Sequence, residues 1–290
     1  PGTVSYSVDK NSGAELREGQ IKVSQIEESN DWVIQTLINS SDVEHVSLSH
    51  DLDGNPSIAY VVGKGPSWPS VKYINFDGEN WSSSDVDEKG SQISLSHSPN
   101  GEPALSYVSE GQVLKCAVYD GQDWKIDIVD NTTVVGNSSI AHDDNGYPVI
   151  SYHDFSNHEL KLAKFDGEKW NLSIVTTQGN RPGYYNSLSF DSEGRPRIAV
   201  VDYPLQQGFK FASINDTKWE VEFINDPIIS GLDNNSVRGV SLSYSDSGFP
   251  AVSYRGSGGE VKLIQCAQFN GQTWEILTVD NDIKAYDEMS

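Results

Sequence analysis

One stretch of this chain returns again and again, and that repetition constrains the fold more tightly than any other feature. The unit reads SLSHDLDGNPSIAY at 47–60, followed by VKYINFDGENW at 71–81. It recurs as SLSHSPNGEPALSY with VLKCAVYDGQDW, SIAHDDNGYPVISY with ELKLAKFDGEKW, SLSFDSEGRPRIAV with GFKFASINDTKW, and SLSYSDSGFPAVSY with EVKLIQCAQFNGQTW. Each copy offers four strand-like pieces: S-L-S, P-x-h-S-Y, a third run around a lysine, and a fourth after tryptophan. No window shows apolar spacing at i, i+3, i+4 and i+7, so helices are not expected. Abundant Gly, Ser, Asn and Asp, with 10% aromatic residues, match many short strands joined by tight turns.

The first residues carry part of a sixth copy: Val4-Ser5-Tyr6, Ile21-Lys22-Val23 and Asp31-Trp32-Val33-Ile34. Its first strand is expected at the other end. Residues 285–290 followed by 1–6 align without a gap on Ala141 through Tyr152. Tryptophans 32, 81, 124, 170, 219 and 274 are 49, 43, 46, 49 and 55 residues apart, and the wrap-around distance is 48. Four strands per unit of roughly 40–50 residues is the pattern of a propeller blade. The expectation is one all-β domain over 1–290, a six-bladed β-propeller with blade boundaries near 44, 91, 137, 185, 239 and 283. The C-terminus would close the ring by supplying the first strand of the N-terminal blade, which hides the edges.

The register separates scaffold from candidate chemistry. Lys22, Lys72, Lys115, Lys161, Lys210 and Lys262 take one equivalent place, and His50, His97 and His142 share a place with Phe190, Tyr244 and Tyr286. These read as packing residues. The six tryptophans are expected to fill gaps between blades. In D-x-x-G-x-P, Asp bonds nearby backbone, Gly takes positive φ and Pro sets the next φ. Asp51-Leu52-Asp53-Gly54 and Asp143-Asp144-Asn145-Gly146 resemble calcium loops, but as recurring turns they are assigned as turns, with no cofactor expected. Cys116 and Cys266 fall three blades apart, which predicts two buried free thiols.

A net charge of −22 argues against nucleic acid and anionic lipid as partners. No run of 18 apolar residues exists to span a membrane. Pro1-Gly2-Thr3-Val4 lacks a start Met and a signal-peptide pattern, so the chain is read as a mature form or excised domain. Seven N-x-S/T sites, at Asn39, Asn80, Asn131, Asn137, Asn171, Asn215 and Asn234, point to an extracellular or cell-surface protein.

With S-L-x-x-D-x-x-G-x-P-x-I-S-Y and L-K-x-A-x-x-D-G-x-x-W on the page, the chain resembles the sialidase-like or BNR-like propeller repeats of large bacterial and archaeal surface proteins. The Asp-box S-x-D-x-G-x-x-W of true sialidases is not reproduced: SFDSEGRP has an extra residue before Gly, and Pro where the aromatic belongs. The D-G-x-x-W turn is also similar to six-bladed fucose-binding lectins, although their repeated sugar-site Arg and Glu have no consistent counterpart. The resemblance implies fold; propellers host lectins, hydrolases, lyases and interaction modules alike.

Candidate residues are those that depart from the repeat on the face opposite the two turn motifs. They are His45, Trp68, His153, Asp154, Arg181, Tyr184, Tyr185, Asp202, Tyr203, Arg238 and Arg255. Only six arginines occur in the chain, and three of them map to this face. Arginine recognises carboxylate or sulfate bidentately, and Tyr and Trp offer stacking faces. The leading expectation is a non-catalytic propeller, a monomer or module of a larger protein, that binds glycans or a surface protein at the channel mouth. The alternative is an enzyme acting on acidic polysaccharide. In a lyase, arginine would neutralise a uronate while His153 with Tyr184 or Tyr185 acts as base and acid, as in ulvan-type propeller lyases. A sialidase-like hydrolase would need Asp154 or Asp202 as acid. A third reading is a structural module of a surface layer or filament.

Overall fold

The computed structural model describes residues 20–26, 32–63, 68–177, 181–202, 208–215, 218–230, 236–245, 247–258 and 261–280. It begins with a two-stranded antiparallel sheet, β1 (Gln20–Ile26) and β2 (Trp32–Asn39). Five four-stranded antiparallel blades follow. Blade one is β3 (Val43–His50), β4 (Pro56–Val62), β5 (Ser70–Phe76) and β6 (Trp81–Asp87). Blade two is β7 (Ser91–His97), β8 (Pro103–Ser109), β9 (Val113–Tyr119) and β10 (Trp124–Asp130). Blade three is β11 (Val135–His142), β12 (Pro148–Asp154), β13 (Glu159–Phe165) and β14 (Trp170–Thr176). Blade four is β15 (Tyr185–Phe190), β16 (Pro196–Val201), β17 (Gly208–Asn215) and β18 (Lys218–Asn225). A four-residue helix, α1 (Pro227–Ser230), precedes blade five: β19 (Ser236–Tyr244), β20 (Pro250–Gly258), β21 (Val261–Phe269) and β22 (Trp274–Asp280).

The expected six blades are therefore corrected: the described residues form five. Among them the N-terminal unit is a hairpin of two strands, not a four-stranded blade. The motif counts copies of sequence, whereas a blade needs four strands paired. The segments expected to complete the unit and close the ring, in 1–19 and 281–290, lie outside the described residues.

The repeat motifs explain how blades hold each other. In the first four blades the first serine of this run accepts an amide from the next inner strand: Leu95 N–H donates to Ser47 Oγ (2.9 Å), Ile140 to Ser94 (3.2 Å), Leu188 to Ser139 (3.0 Å) and Leu242 to Ser187 (2.9 Å). These bonds satisfy strand-edge amides that would otherwise be orphaned. The shared histidine place also stitches blades, since His97 Nδ1 lies 3.0 Å from Ser49 Oγ and His142 Nδ1 3.1 Å from Ser96 Oγ. Apolar clusters then form between successive blades, such as Val61, Val71 and Tyr73 against Leu105, Tyr107 and Ala117.

The tryptophans lie in these gaps as expected. Trp124 donates to Ser84 of blade one (3.1 Å) and meets Tyr73 edge-on at 5.1 Å, while Trp274 packs on Phe209 and Phe211 of blade four. The side chain of Trp32 lies outside the described residues. In the turn heading each second strand, Asp51 Oδ1 accepts the amides of Asp53 (2.9 Å) and Asn55 (2.8 Å), with Gly54 at φ 82°. Asp143 accepts those of Asn145 and Tyr147 (both 3.0 Å). Both candidate calcium loops thus spend carboxylate oxygens on their own backbone.

Two details differ from the sequence reading. Lys72, Lys115, Lys161 and Lys210 do share a register place, opposite Tyr60, Tyr107, Tyr152 and Val200. In blade five Gln265 takes that place, opposite Tyr254, and Lys262 pairs with Ser257. The cause is length: β20 and β21 have nine residues each, against seven for β12 and β13. Both cysteines are free, Cys116 fully buried but Cys266 only partly so.

Candidate functional site

Strand β12 is buried along its whole length, and it delivers His153 and Asp154 to the face opposite the turn motifs. Asp154 is an organising anion. It receives Lys161 Nζ at 2.5 Å, the Asn157 amide and Nδ2 at 2.9 Å each, and the Thr133 hydroxyl. Burial alone would raise its pKa, but these bonds outweigh burial and hold the carboxyl at about 2. So held, the carboxyl stays ionised near neutrality. Its work is to fix the 155–158 turn.

His153 is the opposite case. It is fully buried, and neither ring nitrogen has a partner. Burial lowers its pKa to about 4, helped by His158 and Arg181 and opposed by Asp154. The ring is therefore neutral, with both nitrogens buried and unpartnered. Space for it comes from Gly136, where a Cβ would fall 2.9 Å from His153 Nδ1. Above it, Phe155 and Tyr184 lie edge-on at 5.7 Å and 5.9 Å. Arg181 stands over the Phe155 ring with its guanidinium carbon 5.1 Å from the centroid, and Tyr184 meets Tyr185 at 5.0 Å.

The loop carrying Arg181, Tyr184 and Tyr185 is held from below. Asn137 Nδ2 donates to the Tyr184 carbonyl, and Asn186 Nδ2 donates to the Asn137 (3.1 Å) and Gly183 (3.0 Å) carbonyls. Arg181 itself has φ 55°, the left-handed region in which non-glycine residues carry strain. Four expected residues, His153, Arg181, Tyr184 and Tyr185, are thus brought together at the junction of blades three and four.

The others are elsewhere. His45 sits at a β-bulge between Glu44 and Val46, with φ 39°, and reaches solvent at the start of blade one. Trp68 is half-buried against the core shared by blades two and three. Asp202 is buried and takes Lys210 Nζ at 2.6 Å, an ion pair within its own blade. Arg238 and Arg255 face each other across β19 and β20 in blade five, away from Arg181 in the chain's blade order. Tyr203 lies outside the described residues.

Two sets of residues were missed. The first is a chain of tyrosine–aspartate bonds between blades: Tyr107 to Asp87 (2.7 Å), Tyr152 to Asp130 (2.7 Å) and Tyr254 to Asp226 (2.9 Å). Burial first, and the facing carboxylate second, push these phenols well above their ordinary pKa for Tyr107 and Tyr152, and the same two causes act on Tyr254. The second is a cavity of about 400 Å³ between blades four and five, on the turn face, lined by Arg195, Arg197, Glu220, Glu222, Phe249 and Trp274 among others. Its signal was present in the sequence: Arg195 and Arg197 stand where other copies carry Glu102 and Ala104, or Tyr147 and Val149.

No family model matches the chain, and no curated protein matches its sequence. Solved structures do match in fold. A Dyadobacter fermentans protein of unknown function superimposes with a TM-score of 0.61 at 10% identity, over 83% of this chain and 84% of that one. An Aleuria aurantia lectin mutant in complex with α-methyl-L-fucoside gives 0.60 at 16% identity, over 90% and 87%. A polysaccharide lyase, an ulvan lyase, gives 0.54 at 13% identity, over 82% and 71%. At such identities these likenesses establish a β-propeller fold with lectin and polysaccharide lyase neighbours. Among the described residues no helix is long and apolar enough to cross a membrane.

Proposed function

We propose that this chain is a carbohydrate-binding propeller acting outside the cell, with its principal site at the junction of blades three and four. One observation carries the reading. Arg181, Tyr184 and Tyr185, on one pinned loop, meet His153 and Phe155 at the end of β12, so that a cation and several ring faces converge over a buried, unpartnered imidazole. Ring faces suit the apolar side of a sugar, and the guanidinium suits a carboxylate or sulfate on it. The lectin neighbours are consistent with this reading, as are the seven N-x-S/T sites.

A second reading is favoured by one specific feature. A neutral, unpartnered His153 beside Tyr184 and Arg181 has the composition needed for β-elimination from a uronate. A glycan array run beside an absorbance assay for unsaturated uronate separates the two. Binding without turnover supports the lectin reading. Turnover lost in His153→Ala replaces it with the lyase reading, and neither binding nor turnover sinks both.

A further inference from the structure

We infer that the cavity between blades four and five is a second carbohydrate subsite, selective for a sugar ring bearing a protonated amine. The inference rests on the glycan-binding reading but uses different residues on the opposite face.

The cavity exists because two side-chain positions depart from the repeat. On the fourth strand, the places one and three residues after tryptophan carry Ser82 and Ser84, Lys125 and Asp127, or Asn171 and Ser173 in the first three blades. In blade four they carry Glu220 and Glu222. At the first gap Ser84 instead accepts the Trp124 indole N–H. At this gap two exposed glutamates face Trp274 across about 400 Å³, within the range of roughly 300–1,000 Å³ typical of small-ligand pockets. Blade five supplies an aromatic wall, with Trp274 and Phe269 5.5 Å apart and Phe249 6.3 Å from Phe269 and partly exposed.

The arginines do not make this an anion site. Arg197 donates from Nε and Nη2 to Asp191 (3.0 and 2.7 Å) and from Nη1 to the Ile214 carbonyl (3.1 Å). Arg195 donates to Asp191 (2.9 Å) and Glu193 (2.8 Å). Among the described residues the Glu220 and Glu222 carboxylates have no hydrogen-bond or ion-pair partner. Four carboxylates against two committed guanidiniums leave the cavity anionic, in a chain of net charge −22. Aromatic faces with unpaired carboxylates recognise an organic ammonium group. On a ring of sugar size, that group is the amine of a de-N-acetylated amino sugar.

The test is calorimetric titration of the whole chain with a glucosamine trisaccharide, its fully N-acetylated counterpart and tri-lysine. The glucosamine trimer should bind, and the acetylated trimer should not. Glu220→Gln with Glu222→Gln should weaken binding at least about tenfold. Glu79→Gln with Glu168→Gln, which removes two exposed charges in distant turns, should change it less than twofold. No binding at millimolar trimer overturns the inference. So do equal binding of the acetylated trimer, tighter binding of tri-lysine, or equal loss in both glutamine pairs. Loss in Arg181→Ala with Tyr184→Ala but not in Glu220→Gln with Glu222→Gln overturns this subsite while leaving the glycan reading standing.

Discussion

Where blades two and three meet, and where blades three and four meet, one scaffold is finished in opposite ways. At the first junction Tyr152 donates to Asp130, which also accepts the Thr132 amide (2.9 Å) and hydroxyl (2.7 Å), so these three side chains satisfy one another. At the second junction the tyrosine place holds Val200 and the aspartate place Thr176. Lys210 turns to Asp202 in its own blade, and His153 is left neutral with unpartnered nitrogens beneath Arg181 and Tyr184. The pair of changes is concerted: tyrosine and aspartate disappear together, as a buried hydrogen bond requires, because either alone would leave an unsatisfied group. One junction is built for cohesion. The other gives up that bond where the candidate ligand residues collect.

Five substitutions break or sharpen this contrast. Asp130→Ala should cost about 3 kcal/mol in urea unfolding, since Tyr152 and Thr132 lose a buried charged acceptor. Thr176→Ala, at the equivalent place, should cost about 1 kcal/mol or less, and equal losses would erase the distinction. Asp154 comes next. Its folded pKa of about 2 lies below the ordinary carboxylate value, so its contribution is present above about pH 4 and fades as pH falls toward 2. Asp154→Asn should remove on the order of 2.5 kcal/mol at pH 7 and flatten that acid limb, as read from thermal melts across pH.

His153 runs in the other direction. The unfolded imidazole takes up a proton below about pH 6.5, whereas the folded one does so only near 4, so stability declines as pH falls through that window. His153→Phe should recover about 2 kcal/mol at pH 5 relative to the native chain, after comparison of both at pH 7.5. His142, also held near 4 by burial, keeps part of the slope. The smallest effect is expected at Arg238. It is exposed and directly opposite Arg255, with like charges facing, so Arg238→Ala should shift stability by less than about 0.5 kcal/mol.

Much of the architecture was legible in the repeat. Pro56, Pro103, Pro148, Pro196 and Pro250 begin second strands, and Trp81, Trp124, Trp170 and Trp274 begin fourth strands, because proline and the turn before tryptophan punctuate the chain. Blade number was not legible, since motif copies count sequence units and say nothing of whether four strands pair. The place of Lys262 was misread although spacing marks it: Lys262 stands 12 residues before Trp274, whereas Lys72, Lys115, Lys161 and Lys210 stand nine before their tryptophans, as Gln265 does. At the site, Arg181, Tyr184 and His153 were found as departures from the pattern. The Tyr–Asp bonds were hidden because each partner looks ordinary within its own copy and acquires meaning only across a gap. Arg195 and Arg197 stood out equally but lay on the face assigned to turns.

The most direct test of the account is titration of the tightest array-identified glycan against the native chain and against Arg181→Ala with Tyr184→Ala, both residues lying on one pinned loop. The account predicts at least a tenfold loss of affinity with melting temperature nearly unchanged. Unchanged affinity in a variant that folds normally would contradict it.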